Sequence, residues 1–445
     1  MPSSSSSALT ISNFRLRALR IWSSMDYAIA AFIFLLLFSF TLFSHLDRRS
    51  PSPSLSHSDS HSHSHSDLVP LTLLRNADQT RALCLDGSAP GYHFQSGFGS
   101  GSSNWLLHIE GGGWCNSISS CYQRKFTHLG SSKYMEKLIP FSGILSSDPA
   151  QNPDFFNWNK VKIRYCDGAS FAGHPESEVR IDFTFGTLVV DSFLSCISRS
   201  EICPLHIWVY VDVGGSGLFF RGQAIWEAIV DELLSIGLSK AKQDALLEGW
   251  QLLYTVLPKE ATVKCLADAG FFLDEKDISG NSTMRSFYHD VVQLQCLFPS
   301  EIVKNIKTPL FLVHPAYDFW QIRNILVPQG SDPHGHWQSC RLNIRNCNAN
   351  MIDKLDRFRG SLLKTVNEFQ QRKEIGMFID SCFIHCQTEM ELTWHSPNSP
   401  KINDKTIAES VGDWYFDREA VKRIDCSSYS CNPTCHNMDF HLKIK

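Results

Sequence analysis

Fifteen cysteines constrain this 445-residue chain more than any other feature. Many of them stand in short pairs, namely Cys115 and Cys121, Cys340 and Cys347, Cys382 and Cys386, and Cys431 and Cys435. Disulfides persist in oxidising compartments, whereas proteins of reducing compartments rarely carry so many thiols. A zinc site would show C-x-x-C pairs at finger-like spacing, and the sequence has none. The pattern therefore predicts a disulfide-bonded fold in the secretory pathway, with no metal.

The N-terminal part of the chain divides into three segments by composition. Residues 1–26 are polar and include three arginines, which predicts a short cytosolic tail. Residues 27–46 are mostly apolar and predict a transmembrane signal anchor, with the core of a cleaved signal peptide as the alternative. Residues 47–67 are rich in Ser, Pro and His, which predicts a disordered linker. Its histidines could bind a metal, but a solvated stalk is the favoured interpretation.

Residues 68–445 have the mixed composition of a folded domain. The strings at 105–109, 161–165, 263–267 and 310–314 are short and apolar, which is typical of buried strands. Helical spacing of apolar residues follows at 225–236 and 351–369. Strands that alternate with helices predict an α/β fold with a mostly parallel sheet flanked by helices. A net charge of −4 without a long basic run excludes nucleic acid as the main partner.

Two further motifs could carry chemistry or modification. Gly111-Gly112-Gly113 follows a predicted strand, and backbone N–H groups of such a run can form half of an oxyanion hole, although a tight turn has the same composition. Trp114 and Cys115 directly after the run favour the functional interpretation. Asn281-Ser282-Thr283 is an N-glycosylation acceptor and predicts a lumenal surface loop.

A carboxylate and two histidines are candidates for a catalytic triad. Asp318 lies just past the predicted strand 310–314, where sites of α/β sheets form, although Asp is also a common helix N-cap. His385 stands between Cys382 and Cys386, and His395 competes with it for the same role. The chain order Asp and then His matches an α/β-hydrolase, in which the serine comes first.

Several long strings resemble the plant pectin acetylesterase family, whose animal relative is the Notum carboxylesterase. They include HIEGGGWC, VKCLADAGFFLDEKDISGN, HPAYDFWQ, DSCFIHCQ and AESVGDWYFDR, and together they span residues 68–445. The resemblance implies an α/β-hydrolase-like fold and a Ser-His-Asp enzyme that removes acetyl groups from cell-wall pectin, without a cofactor. Asp318 and His385, rather than His395, fall on the triad aspartate and histidine.

The resemblance also implies the remaining site residues and some disulfides. Gly112 and Gly113 fall on the oxyanion-hole loop, and Trp114 falls beside the substrate. The implied disulfides are Cys84–Cys166, Cys115–Cys121 and Cys340–Cys347. The implied partner is acetylated pectin, bound by a monomer in the extracellular space or cell wall, with a membrane contact only through residues 27–46.

The sequence departs from the family where the nucleophile should be. The family carries a GCSAGG elbow, which we expect near Gly249, but the chain has ALLEGWQLLY there and no serine between Ser239 and Ser279. Residues 247–256 can be encoded by the codons CTG GAG GGA TGG CAA CTC TTA TAC ACT GTG. Read two bases along, they give Gly-Gly-Met-Ala-Thr-Leu-Ile-His-Cys, which resembles the family text after its serine. We interpret the segment as a frame shift at a splice junction.

Two other departures support a faulty gene model or a splice form. Residues 181–217 have no recognised family counterpart and are predicted to be an atypical, poorly packed insertion, and a stretch is missing near residues 292–296. By family the chain is a carboxylic ester hydrolase, but as written we expect it to be inactive. The alternatives are a non-catalytic polysaccharide-binding homologue and a lipid carboxylesterase similar to Notum.

Overall fold

The computed structural model describes residues 68–171 except Asn116, 178–182, 208–213, 216–247, 261–286 and 298–437 except Lys307. The predicted tail, anchor and linker at 1–26, 27–46 and 47–67 lie outside these ranges and stay predictions. Within the described ranges, the helices are too short or too polar to cross a membrane.

The described residues form a ten-stranded sheet with the order β13-β12-β11-β10-β9-β3-β5-β2-β1-β4. Its strands are β1 (Leu68–Leu73), β2 (Gly91–Gln95), β3 (Asn104–Ile109), β4 (Leu138–Pro140), β5 (Asn159–Ile163), β9 (Gln243–Leu247), β10 (Thr262–Asp268), β11 (Leu310–Pro315), β12 (Ile375–Asp380) and β13 (Lys422–Ile424). Neighbouring strands from β13 to β5 pair in parallel. The strands β2, β1 and β4 extend this sheet with antiparallel pairs. The sheet is thus mixed, and the predicted α/β class is confirmed.

Helices connect and cover these strands. They are α1 (Ala77–Thr80), α2 (Ile118–Arg124), α3 (Gly222–Ile236), α4 (Pro299–Asn305), α5 (Phe319–Gln321), α6 (Ala349–Asn367), α7 (Glu391–Trp394) and α8 (Ile407–Tyr415). The two helices predicted from apolar spacing correspond to α3 and α6. Each begins two or three residues earlier than predicted, and α6 starts where the Asn348 side chain accepts a hydrogen bond from the Met351 N–H.

Hydrophobic residues cover both faces of the sheet. Leu107 packs in one cluster with residues of α3 and α6, such as Ile229 and Leu362. Its neighbour Leu106 points to the other face and packs in a second cluster with Phe311 and Trp414. Side chains alternate between faces along a strand, so a strand buried on both sides reads as a continuous apolar run. This is why β3, β10 and β11 are visible in the sequence.

The predicted insertion 181–217 is described only in part. Strands β6 (Glu178–Asp182), β7 (Trp208–Val213) and β8 (Ser216–Leu218) form a separate three-stranded sheet with the order β6-β7-β8. None of the three pairs with the ten-stranded sheet. The described part of the insertion therefore contributes to a small sheet of its own, and the prediction that it packs poorly remains untested.

Disulfides fasten the loops at the ends of the strands. The implied bridges Cys84–Cys166, Cys115–Cys121 and Cys340–Cys347 are all formed. Two more bridges, Cys382–Cys435 and Cys426–Cys431, are formed. They differ from the short pairs in the sequence, in which Cys382 stands near Cys386 and Cys431 stands near Cys435. Each of these two bridges lies close to a carboxylate, Asp380 beside Cys382–Cys435 and Asp425 beside Cys426–Cys431. The sulfur atoms of both groups are therefore already bonded to each other.

Candidate active site

The loops after β11 and β12 bring Asp318 and His385 together at the carboxyl edge of the sheet. The two strands are parallel neighbours, so the loops that follow them start side by side. His385 Nδ1 lies 2.7 Å from Asp318 Oδ2. The other oxygen, Oδ1, accepts a hydrogen bond from the Gln321 N–H at 2.6 Å and caps α5. Asp318 is therefore both a helix N-cap and a partner for histidine, the two roles that its sequence position left open.

This pairing fixes the orientation and the charge preference of the imidazole. Because a carboxylate only accepts, Nδ1 of His385 donates, and Nε2 is the nitrogen that can accept a proton. Burial opposes protonation of His385, but the negative charge and hydrogen bond of Asp318, helped by the Cys386 side chain, raise its pKa well above the ordinary value. Asp318 itself is buried, whereas the His385 side chain keeps 24% of its exposure. The ring is thus a partly exposed base on a buried support.

A buried carboxylate at the end of β10 holds the loop that carries His385. Asp268 Oδ2 accepts hydrogen bonds from the N–H groups of Gln387 and Thr388 and from the Thr388 hydroxyl, each at 2.8 Å. Burial raises the pKa of Asp268, and these hydrogen bonds act against that rise. Asp380 accepts hydrogen bonds from Cys382 and Gln387 in the same loop. Sequence reasoning missed Asp268, although it stands at a strand end as Asp318 does.

The glycine run after β3 presents backbone N–H groups at the same edge. The Gly112 carbonyl accepts from Arg124 at 3.1 Å, and the Gly113 carbonyl accepts from the Tyr165 hydroxyl at 2.8 Å. Within the described part of the chain, neither the Gly112 nor the Gly113 N–H has a hydrogen-bond acceptor. Gly113 has φ of +61°, a conformation that favours glycine. The loop can therefore donate hydrogen bonds to a bound carbonyl oxygen.

The base of this glycine loop is braced by charged and aromatic side chains. Glu110 Oε2 accepts from the Arg164 Nε at 2.9 Å and from the Tyr165 N–H at 3.0 Å. The Tyr165 hydroxyl also accepts from the Ser170 N–H at 2.9 Å, so it is held from two sides. These contacts join the loop to the end of β5. In the sequence, the only signal for them is that Glu110, Arg164 and Tyr165 stand directly after strands.

Three aromatic rings form a wall beside His385. Trp320 stacks on the His385 ring with centroids 6.1 Å apart, and it contacts Phe272 at 4.9 Å. Trp114 completes the wall, 5.8 Å from Phe272 and 6.2 Å from Trp320. All three are partly exposed. Trp114 was predicted to lie near the substrate, whereas Phe272 and Trp320 were not singled out.

Other predicted residues occupy separate places. His395 Nδ1 lies 3.0 Å from the Thr406 hydroxyl, so this histidine contacts the start of α8 and not Asp318. Asn281 is exposed in a turn that Asp277 organises by accepting from the Ser279 and Asn281 N–H groups. Gly249, where the nucleophile is expected, lies outside the described residues. Strand β9, which leads to it, ends at Leu247 between β3 and β10.

Comparison with known proteins decides the family. The Pectinacetylesterase family pattern matches residues 62–197, 210–295 and 293–436. The chain belongs to the pectinacetylesterase family. The match is interrupted between residues 197 and 210, which lie within the predicted insertion at 181–217. Two matched segments meet at residues 293–295, beside the predicted missing stretch.

Individual relatives agree with this assignment. Pectin acetylesterase 5 of Arabidopsis thaliana is 50% identical over 95% of this chain and 97% of its own length. Pectin acetylesterase 4 of the same plant is 47% identical over 94% of this chain and 98% of its own length. Palmitoleoyl-protein carboxylesterase NOTUM of Homo sapiens is 28% identical over 57% of this chain and 51% of its own length. The family members named here as pectin acetylesterases are carboxylic ester hydrolases.

Proposed function

We propose that this site, on an α/β-hydrolase-like sheet, is built for acetyl ester hydrolysis of pectin by a Ser-His-Asp mechanism. The observation that carries the proposal is the hydrogen-bonded pair His385–Asp318 at the sheet edge that also holds the Gly112–Gly113 loop. The end of β9 lies between the strands that support these two parts. A nucleophile placed there would have a base on one side and carbonyl-binding N–H groups on the other.

The residues divide the work of the family reaction. A serine after β9 attacks the acetyl carbonyl while His385 Nε2 takes its proton, and Asp318 stabilises the imidazolium. The N–H groups of Gly112 and Gly113 donate to the oxyanion of the tetrahedral intermediate. His385 then gives this proton to the sugar oxygen as the bond between that oxygen and the acetyl carbon breaks, which frees the sugar hydroxyl. Water repeats the sequence on the acetyl-enzyme and releases acetate.

The aromatic wall favours a small acyl group. Trp114, Phe272 and Trp320 contact one another, and we infer that this wall closes the site to a long acyl chain. An acetyl group needs only the space beside Gly113 and His385. This supports acetate over the palmitoleoyl group in the name of the Notum relatives, and partly exposed indoles can also stack on sugar rings.

As written, however, the chain lacks the nucleophile, and we propose that it does not hydrolyse esters. No serine stands between Ser239 and Ser279, so the segment after β9 offers no serine hydroxyl to His385. Loss of a triad serine lowers the rate by on the order of a million-fold. The chain would then be a non-catalytic pectin-binding form of an acetylesterase, a monomer in the cell wall, released or anchored through residues 27–46.

Two versions of the chain test the proposal. One is the chain as given, and the other has the GCSAGG elbow restored, residues 181–217 removed and the stretch near Cys296 replaced. Each is assayed for acetate release from acetylated pectin, with a His385→Ala control. We expect His385-dependent release only from the restored chain, and faster hydrolysis of p-nitrophenyl acetate than of p-nitrophenyl octanoate. His385-dependent release from the chain as given would overturn the proposal of inactivity, and none from the restored chain would overturn the mechanism.

A further inference from the structure

A second cleft lies apart from the His385 site, between the loop after α5 and the first turns of α6. It has a volume of about 450 Å³, within the roughly 300–1,000 Å³ of small-molecule sites. Its lining side chains combine polar, aromatic and apolar groups, and they are His336, Trp337, Asn348, Asn350, Met351 and Lys354. The reaction proposed above uses none of them.

The walls of this cleft are fixed by the surrounding structure. Trp337 is 7% exposed and belongs to the hydrophobic core, so its ring is a rigid part of the wall. The Asp332 carboxylate accepts hydrogen bonds from the N–H groups of His336 and Trp337. The bridge Cys340–Cys347 closes the loop before it enters α6. A preformed wall binds a ligand without first paying for the ordering of a loop.

The charge of the cleft comes from one lysine. Lys354 Nζ lies 5.9 Å from the centre of the Trp337 ring, and among the described residues no carboxylate pairs with it. The neighbouring acids on α6 have other partners, because Asp353 pairs with Arg357 and Asp356 accepts from the Tyr317 hydroxyl. The cleft therefore presents an ammonium group that these acids do not neutralise.

The cleft opens at the same edge of the sheet as His385. Helix α6 leads from the loop after β11 back to the start of β12, so its first turns lie at the carboxyl end of the strands. The Tyr317–Asp356 hydrogen bond of 2.5 Å ties these turns to the residue before Asp318. An extended polymer lying along this edge can contact both places.

We propose that this cleft binds the carboxylate of a uronic acid residue in an unesterified stretch of the polymer. Lys354 pairs with the carboxylate, the amides of Asn348 and Asn350 and the His336 ring bond sugar hydroxyls, and Trp337 and Met351 contact the apolar face of the ring. The inference rests on the proposed function for its substrate class, but it needs no catalytic step. It places a recognition site for bare galacturonate beside a site for acetylated residues.

The test uses the full chain as it exists and trigalacturonic acid as the probe, with binding followed by calorimetry at low salt. Lys354→Gln should weaken binding about fivefold or more, within the range for a single charged contact. Lys364→Gln is the matched control, because it removes the same charge from an exposed position at the other end of α6, and it should leave the affinity unchanged. The methyl ester of the probe should bind the chain and the Lys354→Gln variant equally.

Several results would overturn the proposal that this cleft binds a uronic acid carboxylate. The acid could bind the chain and the Lys354→Gln variant equally, or the Lys354→Gln and Lys364→Gln substitutions could weaken its binding equally. The methyl ester could bind tightly in a way that depends on Lys354, or the acid could fail to bind the chain at all. Acetate release by the restored chain tests the proposed function separately. If the restored chain releases acetate with the same KM after Lys354→Gln, the proposed esterase function stands and the proposed carboxylate site is rejected.

Discussion

His385 Nδ1 lies 2.7 Å from Asp318 Oδ2, while Oδ1 of the same carboxylate caps helix α5. One buried side chain thus connects the imidazole to the main chain of the element that follows β11. Because the cap holds the carboxylate in place, the histidine depends on α5 for its orientation. Changes to Asp318 can therefore be separated into effects on the helix and effects on the histidine.

Asp318→Asn should lower the pKa of His385 in the chain as given. Asn caps helices about as well as Asp, so the fold should be retained, but the negative charge that opposes the effect of burial is lost. The His385 ring protons, followed by NMR across a pH titration, report this directly. Asp356→Asn is the control, since that carboxylate bonds Tyr317 instead. An unchanged His385 pKa after Asp318→Asn would refute the electrostatic role of the pair.

Asp268→Asn should destabilise the chain by about 1–3 kcal/mol, the usual range for leaving buried partners unsatisfied. The new amide group would face the N–H groups of Gln387 and Thr388, which need an acceptor. Urea unfolding measures the free energy, and hydrogen exchange at these two amides should become faster. Asp274→Asn, which breaks only a more exposed pair with Arg285, should lower stability by less than about 1 kcal/mol. Equal losses would show that Asp268 is not a special support of the His385 loop.

Two adjacent glycines should respond differently to alanine. A Cβ at Gly112 would lie 2.6 Å from the Tyr165 ring and 2.8 Å from Leu129, whereas a Cβ at Gly111 meets nothing within 4 Å. The Tyr165 ring cannot yield easily, because its hydroxyl is bonded to Gly113 and Ser170. Gly112→Ala should therefore lower stability by about 1–3 kcal/mol, and Gly111→Ala by much less. Thermal unfolding of both variants decides the matter, and similar melting temperatures would contradict the predicted contact.

Much of the fold could be predicted because strands buried on both faces leave apolar runs. Strands β10 and β11 match their predicted strings within a residue or so. Strand β9 was missed, because its sequence Gln243-Asp244-Ala245-Leu246-Leu247 starts with two polar residues and has no long apolar run. Its place in the sheet follows from pairing with β3 and β10, which no local pattern encodes.

The site was predictable where a residue acts near its own strand end and unpredictable where it acts across the chain. Asp318 stands just after a predicted strand, so its role could be proposed from position, whereas His385 was preferred to His395 through the family resemblance. Asp268 binds residues 119 and 120 positions later, and nothing in the local sequence signals that contact. The bridge Cys382–Cys435 likewise spans 53 residues, whereas short spacing favours nearer pairs.

Asn281 should carry an N-linked glycan when the chain is made in a secretory pathway. The residue is exposed at a turn, and Thr283 completes the acceptor motif. Asn281→Gln and Thr283→Ala should both remove one glycan, seen as a loss of mass equal to that from glycosidase treatment. Thr283→Ser retains the motif and should retain the glycan, which separates glycosylation from the Thr283–Asp277 hydrogen bond. Identical masses for all forms would reject the site.

The restored chain should lose activity as the pH falls. His385 must be neutral to accept the serine proton, and its pKa is raised well above the ordinary value, chiefly because Asp318 outweighs the effect of burial. Protonation therefore begins at a higher pH than for a free histidine, and kcat/KM should decline tenfold per pH unit below the folded pKa. Asp318→Asn lowers that pKa, so its acidic limb should move to lower pH. Its maximal rate should fall by on the order of 10⁴.

The two pH profiles of acetate release measure both effects, with Asp356→Asn as the control that should follow the parent profile. An acidic limb that stays in place after Asp318→Asn would show that another group controls the pH dependence.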